Sequence, residues 1–149
     1  MIKISSPAFD YGDSIPEEYT CDGIDISPPL VIENVPLGAV SLVLIVDDPD
    51  AQTKTWTHWI AWNISSDTEE IRENSVPRNA LLGINDFDRL DYGGPCPPSG
   101  THRYYFRVYA LDMMLEAQQG ARRDVVESEM EGHVIDEGEY VGKYERRGV

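Results

Sequence analysis

The longest uninterrupted apolar run in this chain, residues 42–46 (LVLIV), is only five residues long. Residues typical of turns bound it on both sides, PLGA before it and DDPD after it. A membrane span needs about 20 apolar residues, whereas a strand buried on both faces needs only a run of this length. We therefore predict a central buried strand over residues 41–46 and no stable insertion into a membrane.

Further elements follow from residue type and periodicity. Aromatic and β-branched residues predict strands over residues 58–64, 104–111 and 139–144. Residues 122–131 form the best candidate helix, which Gly132 would end, and a helical turn capped by Ser66 or Asp67 is also expected. Strands come first and the helix comes late, without β–α alternation, which favours a mainly β sandwich or mixed sheet with peripheral helices.

The charge of the chain limits its partners. It has 149 residues, which suits a single domain over residues 1–149, and 27 acids oppose 12 bases for a net charge of −15. A field of that sign repels nucleic acid, so we expect no nucleic-acid partner. Simple solubility explains the acidic excess, and adaptation to high salt is a second explanation that stays open.

Whether the two cysteines are free or bonded to each other depends on the cellular compartment. The first residues of the chain, MIKISSPAFDYGDSIP, include no apolar run of the length that a secretory signal requires, so we expect a cytoplasmic protein. In that compartment Cys21 and Cys96 are expected to be free thiols. A disulfide between them is the alternative, and on the chain-entropy model it would stabilise the fold by about 4 kcal/mol.

The first candidate site segment is the turn DDPD after the central strand. Pro49 restricts its own backbone and that of Asp48, so Asp48 and Asp50 are held in a rigid turn. His58 starts a predicted strand eight residues after Asp50, and we expect Asp48 to orient an imidazole, with His58 as its partner. An Asx-type turn that only caps the strand is the alternative.

The second candidate segment is the loop YGGPCPPSGT before His102. Gly94 allows a close approach of backbone to a ligand, and Pro97 and Pro98 would stiffen the wall. His102 then enters a strand, followed two residues later by Tyr104. An ordinary rigid loop explains the glycines and prolines but not a second histidine at the start of an aromatic strand.

Two histidines beside rigid loops, together with loop N–H groups, predict a compact anion pocket. A metal site is the rival interpretation, because two His and two Asp are suitable ligands for zinc. The chain contains no HxH or HExxH spacing that would favour it.

The same segments carry a family resemblance. DPDA followed by WTHW, then YGGPCPPSGTHRYYFRVYAL, resembles the phosphatidylethanolamine-binding protein family, which includes the Raf kinase inhibitor proteins, and looks like its bacterial and archaeal branch. YTCDGIDISPPL and MEGHVIDEGEYVGKY extend the resemblance over nearly the whole chain. It implies an antiparallel β-sandwich with peripheral helices and a small cavity that accepts phosphate, phosphoryl headgroups or similar anions.

By motif position the resemblance implies an anion site made of Asp48, Asp50, His58, Gly94, Pro97, Pro98, His102 and Tyr104. One departure is local: Gln52 replaces a proline, and residues 53–55 supply no tyrosine of the kind that helps to line the pocket in eukaryotic members.

We therefore expect a non-enzymatic binding protein with no metal and no cofactor. His58 and His102 would supply donors, and Tyr104 would line the pocket. The expected partners are a small anion and a protein, such as a kinase or a protease that it regulates or inhibits, with a homodimer left open. The alternative is an enzyme, such as a metal-assisted hydrolase that uses the same His and Asp residues, and a third interpretation is a partner-binding module with a vestigial pocket.

Overall fold

Two antiparallel sheets share one core in the computed structural model, which describes residues 1–147. The smaller sheet has the strand order β1-β2-β5 and the larger one β6-β4-β3-β7-β8. The strands are β1 (Lys3–Ser5), β2 (Leu30–Glu33), β3 (Ser41–Asp48), β4 (Trp56–Ser65), β5 (Glu70–Ile71), β6 (Leu81–Leu82), β7 (His102–Leu111) and β8 (Val134–Tyr144). One α-helix, α1 (Arg123–Met130), and a 3-10 turn at Glu17–Tyr19 complete the elements of this part of the chain.

The central strand β3 is buried along its whole length, as its apolar run predicts. Successive side chains of a strand point to opposite faces. Leu42 and Leu44 therefore pack in the core between the sheets, while Val43 and Ile45 pack on the other face, against Val126 of α1. The mainly β, antiparallel fold expected from the sequence is confirmed.

The predicted elements are present with shifted ends. Strands β3, β4, β7 and β8 extend beyond the predicted ranges, and the helix is one residue shorter at each end. The helical turn expected at Ser66 or Asp67 is wrong: Thr68 instead closes a turn through its N–H and hydroxyl, which both donate to the carbonyl of Ser65. No helix within residues 1–147 is long and apolar enough to cross a lipid bilayer.

The expectation of free thiols is wrong, because Cys21 and Cys96 form a disulfide across a sequence separation of 75. Their Cα atoms lie 5.4 Å apart, within the range that a disulfide requires. The backbone N–H of Cys21 also donates to the carbonyl of Pro95, at 3.1 Å. The bond therefore ties the loop before β7 to the segment that follows the 3-10 turn.

Candidate functional site

A cavity of about 300 Å³ opens where β3 ends and where β4 and β7 begin. Six of the eight predicted site residues line it together, although they come from three separate segments. Aromatic rings and prolines make up much of the wall, and polar groups are few. The lining residues are Asp48, Ala51, Gln52, Thr53, Trp56, His58, Phe87, Cys96, Pro97, Pro98, His102 and Tyr104.

A β-bulge directs His58 into this cavity. Val46 pairs with Trp59 but Asp47 pairs with Thr57, so His58 is an extra residue on β4. A bulge re-aims the side chains around it, and here both His58 and Trp59 are buried. The His58 ring meets the ring of Tyr104 edge to face, with centroids 5.3 Å apart.

The loop before β7 fixes the tautomer of His58. Its Nδ1–H donates to the carbonyl oxygen of Gly93 at 2.6 Å, since a carbonyl can only accept. Burial lowers the pKa of His58, although this hydrogen bond and the carboxylate of Asp48 oppose the shift. The neutral ring with an unprotonated Nε2 is therefore the favoured form.

Asp48 holds the other imidazole. Its Oδ2 accepts a hydrogen bond from Nδ1 of His102 at 2.6 Å, and its Oδ1 accepts from the backbone N–H of Asp50 at 2.8 Å. The expected pairing of Asp48 with His58 is wrong, because β3 pairs with β7 in a register that brings the end of one strand to the start of the other. The expected orienting role of Asp48 thus falls on His102.

Two buried hydrogen-bond donors of the lining residues have no partner within residues 1–147. They are the indole Nε1–H of Trp56 and the hydroxyl of Tyr104. Burial, together with the nearby carboxylates of Asp48 and Asp50, raises the pKa of Tyr104, so this hydroxyl keeps its proton and can donate. Unpaired buried donors are rare in folded proteins. A third one within residues 1–147, the indole N–H of Trp59, belongs to a residue that does not line the cavity.

Two predicted site residues do not line the cavity. Asp50 accepts hydrogen bonds from the backbone and guanidinium of Arg103, which lower its pKa to about 2. The N–H of Gly94 donates to Asp25 at 2.8 Å, and a side chain at this position would collide with the carbonyl oxygen of Tyr19. Asp50 and Gly94 thus support the loops around the cavity from outside.

Several lining residues were absent from the sequence prediction. Trp56 lies two residues before His58, and Cys96 stands between prolines of the predicted wall, so both segments carried a usable signal. Phe87 carried none, because it lies in a polar loop without periodicity. Gln52 and Thr53 occupy the stretch where the sequence departs from the family pattern.

Within residues 1–147, no three His, Cys, Asp or Glu side chains are grouped so that they could hold a metal ion. At the cavity, His58 and His102 each use Nδ1 for a hydrogen bond within the protein.

Comparisons with known proteins give a consistent result. The sequence model described as phosphatidylethanolamine-binding protein matches residues 5–145. A UPF0098 protein of Pyrococcus abyssi is 51% identical over 156 residues, covering 99% of this chain and 86% of the relative. A UPF0098 protein of Methanothermobacter thermautotrophicus is 47% identical over 150 residues, covering 97% and 99%.

Two solved structures have the same fold. One is a Chlamydia trachomatis protein described as a phosphatidylethanolamine-binding protein homologue, with a TM-score of 0.93, 41% identity and 97% of both chains covered. The other is E. coli YbcL, described as a member of the mammalian family of that name. Its TM-score is 0.91 at 28% identity, and the match covers 98% of this chain and 99% of YbcL.

Proposed function

The chain belongs to the phosphatidylethanolamine-binding protein family, and on that basis we propose that it is a non-enzymatic binding protein whose cavity takes a small oxyanion. Phosphate and phosphoryl headgroups are the ligands of this class that we put forward. The cavity of about 300 Å³ is at the lower end of the usual range for small-molecule sites.

The observation that carries this proposal is the set of unpartnered donors at the cavity. Trp56 and Tyr104 each contribute a buried N–H or O–H group with no acceptor among residues 1–147. His102 adds a third donor at Nε2 when its ring is protonated, since its Nδ1 is bonded to Asp48. Oxygen atoms of an anion are acceptors, and charge-assisted hydrogen bonds to them are the stronger kind.

Charge sets the strength of binding. Asp48 is a carboxylate at the cavity and the chain carries a net charge of −15, so an anion meets opposing charge both locally and at long range. We therefore propose weak binding at a single site, with dissociation constants in the millimolar range, on the order of −4 kcal/mol.

A titration with a matched control tests the proposal. Inorganic phosphate and phosphoethanolamine are added at constant ionic strength while the imidazole NMR signals are followed. Shifts are expected for His58 and His102 but not for His133, which is half exposed and pairs with Asp112. His102→Ala should weaken binding at least tenfold and His133→Ala less than twofold, whereas no shift at millimolar ligand would contradict an anion site.

Metal analysis of the same preparation separates binding from metal-assisted hydrolysis. The proposal predicts no stoichiometric zinc in the wild-type protein. Zinc that is present at one equivalent and lost in His58→Ala would contradict it and favour a hydrolase that uses the same residues.

We propose that the protein has a regulatory role, in which it binds and inhibits a partner such as a kinase or a protease. Two exposed segments, residues 52–55 and 98–101, stand beside the cavity and offer a surface for such a contact. If the pocket takes part, His102→Ala should reduce inhibition of a kinase or serine protease that the wild type inhibits. Equal inhibition by both proteins would indicate that the pocket is vestigial.

A further inference from the structure

The cavity contains acceptors as well as donors. Nδ1 of His58 is protonated because it donates to the carbonyl of Gly93 at 2.6 Å. A neutral imidazole has one N–H, so Nε2 of His58 carries a bare lone pair. Only Nδ1 of this ring has a hydrogen-bond partner within residues 1–147, and His58 lines the cavity. Toward a ligand in the cavity, Nε2 can therefore only accept a hydrogen bond.

Asp48 is a second acceptor at the same cavity. Its Oδ1 accepts a hydrogen bond from the backbone N–H of Asp50, and its Oδ2 accepts one from Nδ1 of His102. Each oxygen keeps a further lone pair. The side chain is only 5% exposed, so water cannot surround it and weaken its charge. An oxyanion with no proton would thus meet a carboxylate and a bare ring nitrogen at close range.

The groups around His58 do not remove this acceptor. The carboxylates of Asp48, Asp47 and Asp25 favour a protonated ring, yet burial outweighs them and lowers the pKa of His58 overall. The ring edges of Phe87 and Tyr104 enclose it, with centroids 5.1 and 5.3 Å away. Among residues 1–147, no arginine or lysine lines the cavity.

We infer that the cavity selects an oxyanion that brings its own hydrogen-bond donor, such as a phosphate monoester carrying one proton, over oxyanions without a donor. His58 and Asp48 are the residues that determine this specificity. The inference rests on the proposed anion site and deepens it, since it names the protonation state and ester class of the ligand.

Four probes of similar size distinguish the effect of the ligand's charge on affinity from the effect of the proton that the ligand carries. Phosphate and methyl phosphate at about pH 6 carry one proton on a large share of molecules, because their second pKa is near 6–7. Sulfate is a dianion with no proton at this pH, and dimethyl phosphate is a monoanion with no proton. Titration calorimetry or NMR at constant ionic strength gives the four affinities with the intact, unmodified chain.

We expect phosphate and methyl phosphate to bind at least tenfold more tightly than both sulfate and dimethyl phosphate. A tenfold ratio of dissociation constants corresponds to about 1.4 kcal/mol. This lies within the usual free-energy cost of leaving a buried donor or acceptor without a hydrogen-bond partner. Equal affinity for sulfate would overturn the inference while leaving the anion site intact. If none of the four probes binds, the proposed function fails with it.

The variant His58→Gln tests the assignment to His58. A glutamine amide can place an N–H₂ near the position of Nε2 and so offer a donor where the imidazole accepts. The preference for phosphate over sulfate should fall below threefold in this variant, while His133→Gln should keep the wild-type ratio. If a folded His58→Gln protein keeps the wild-type ratio of phosphate to sulfate affinity, the role of His58 is overturned. The four-probe comparison on the wild type tests the inference even if this variant does not fold.

Discussion

Strand β7 has an aspartate–histidine pair at each end, and the two pairs differ mainly in their exposure to water. At its start, Nδ1 of His102 lies 2.6 Å from Asp48, and the two side chains are 11% and 5% exposed. Just after its end, Asp112 lies 2.8 Å from Nδ1 of His133, and these side chains are 49% and 41% exposed. The residue types and the bonded nitrogen are the same in both pairs.

The difference shows that the chemistry of a pair does not by itself make a site. An exposed ion pair contributes about 0–1 kcal/mol, because water screens it and side-chain entropy opposes it. A buried pair is fixed by its surroundings, and removing one partner leaves the other without compensation. The exposed Asp112–His133 pair is thus an internal control for the buried Asp48–His102 pair. Three changes test how far the two ends of β7 differ.

The largest effect is expected from breaking the disulfide, which braces only the pocket end of β7. Replacing both Cys21 and Cys96 by Ala opens a closed loop with a sequence separation of 75. The free energy of unfolding should fall by about 4 kcal/mol on the chain-entropy model. Urea unfolding with and without reductant measures this change.

The same experiment carries its control, because reductant should have no effect on the double variant. In the wild type, reduction should shift the NMR signals of His102 more than those of His133, since Cys96 lines the cavity. A loss of less than 1 kcal/mol would show that the loop is held by its packing rather than by the bond.

The second effect comes from the carboxylates of the two pairs. Asp48→Ala removes the partner of His102 and a backbone cap at once, so it should lower the free energy of unfolding by about 3 kcal/mol. Asp112→Ala should lower it by less than about 1 kcal/mol.

Urea unfolding of the two single variants, and of each one combined with its histidine replaced by Ala, gives the coupling energy of each pair. Equal coupling energies at both ends of β7 would contradict the contrast drawn from burial.

The sequence predicts the middle of the fold better than its edges. Strands β3, β4 and β7 follow from long apolar or aromatic runs, whereas β5 and β6 have two residues each and no periodicity to read. The turn after β4 was predicted as helical because Ser66 and Asp67 are also good helix caps. Only the tertiary structure decides between a cap and a turn.

The sequence predicted segments that meet at the cavity but not how their side chains pair. Rigid loops beside His58 and His102 marked segments that line one cavity, yet the partner of Asp48 depends on the register between β3 and β7. That register joins residues 54 positions apart and cannot be read from local spacing. Free thiols were expected because a cytoplasmic compartment was expected, with the disulfide as the alternative. Asp50 was predicted at the pocket and lies against Arg103 instead of lining the cavity.

The smallest effect concerns His58, the second buried imidazole at the pocket end of β7. Its pKa is lowered in the folded chain, mainly by burial, so the unfolded chain binds a proton that the folded chain does not. Stability therefore falls as the pH drops below the ordinary histidine pKa of about 6.5, and it keeps falling until the pH reaches the lowered value. One such group contributes at most about 1.4 kcal/mol per pH unit. In His58→Gln this contribution is absent, so stability should fall less steeply between pH 6.5 and 5 than in the wild type. Urea unfolding in phosphate-free buffer measures the two slopes, and His133→Gln tests whether the loss of any histidine would have the same result. Identical slopes for the wild type and His58→Gln would mean that the pocket end of β7 admits a proton at His58 without penalty, and burial would then no longer distinguish the two ends of the strand.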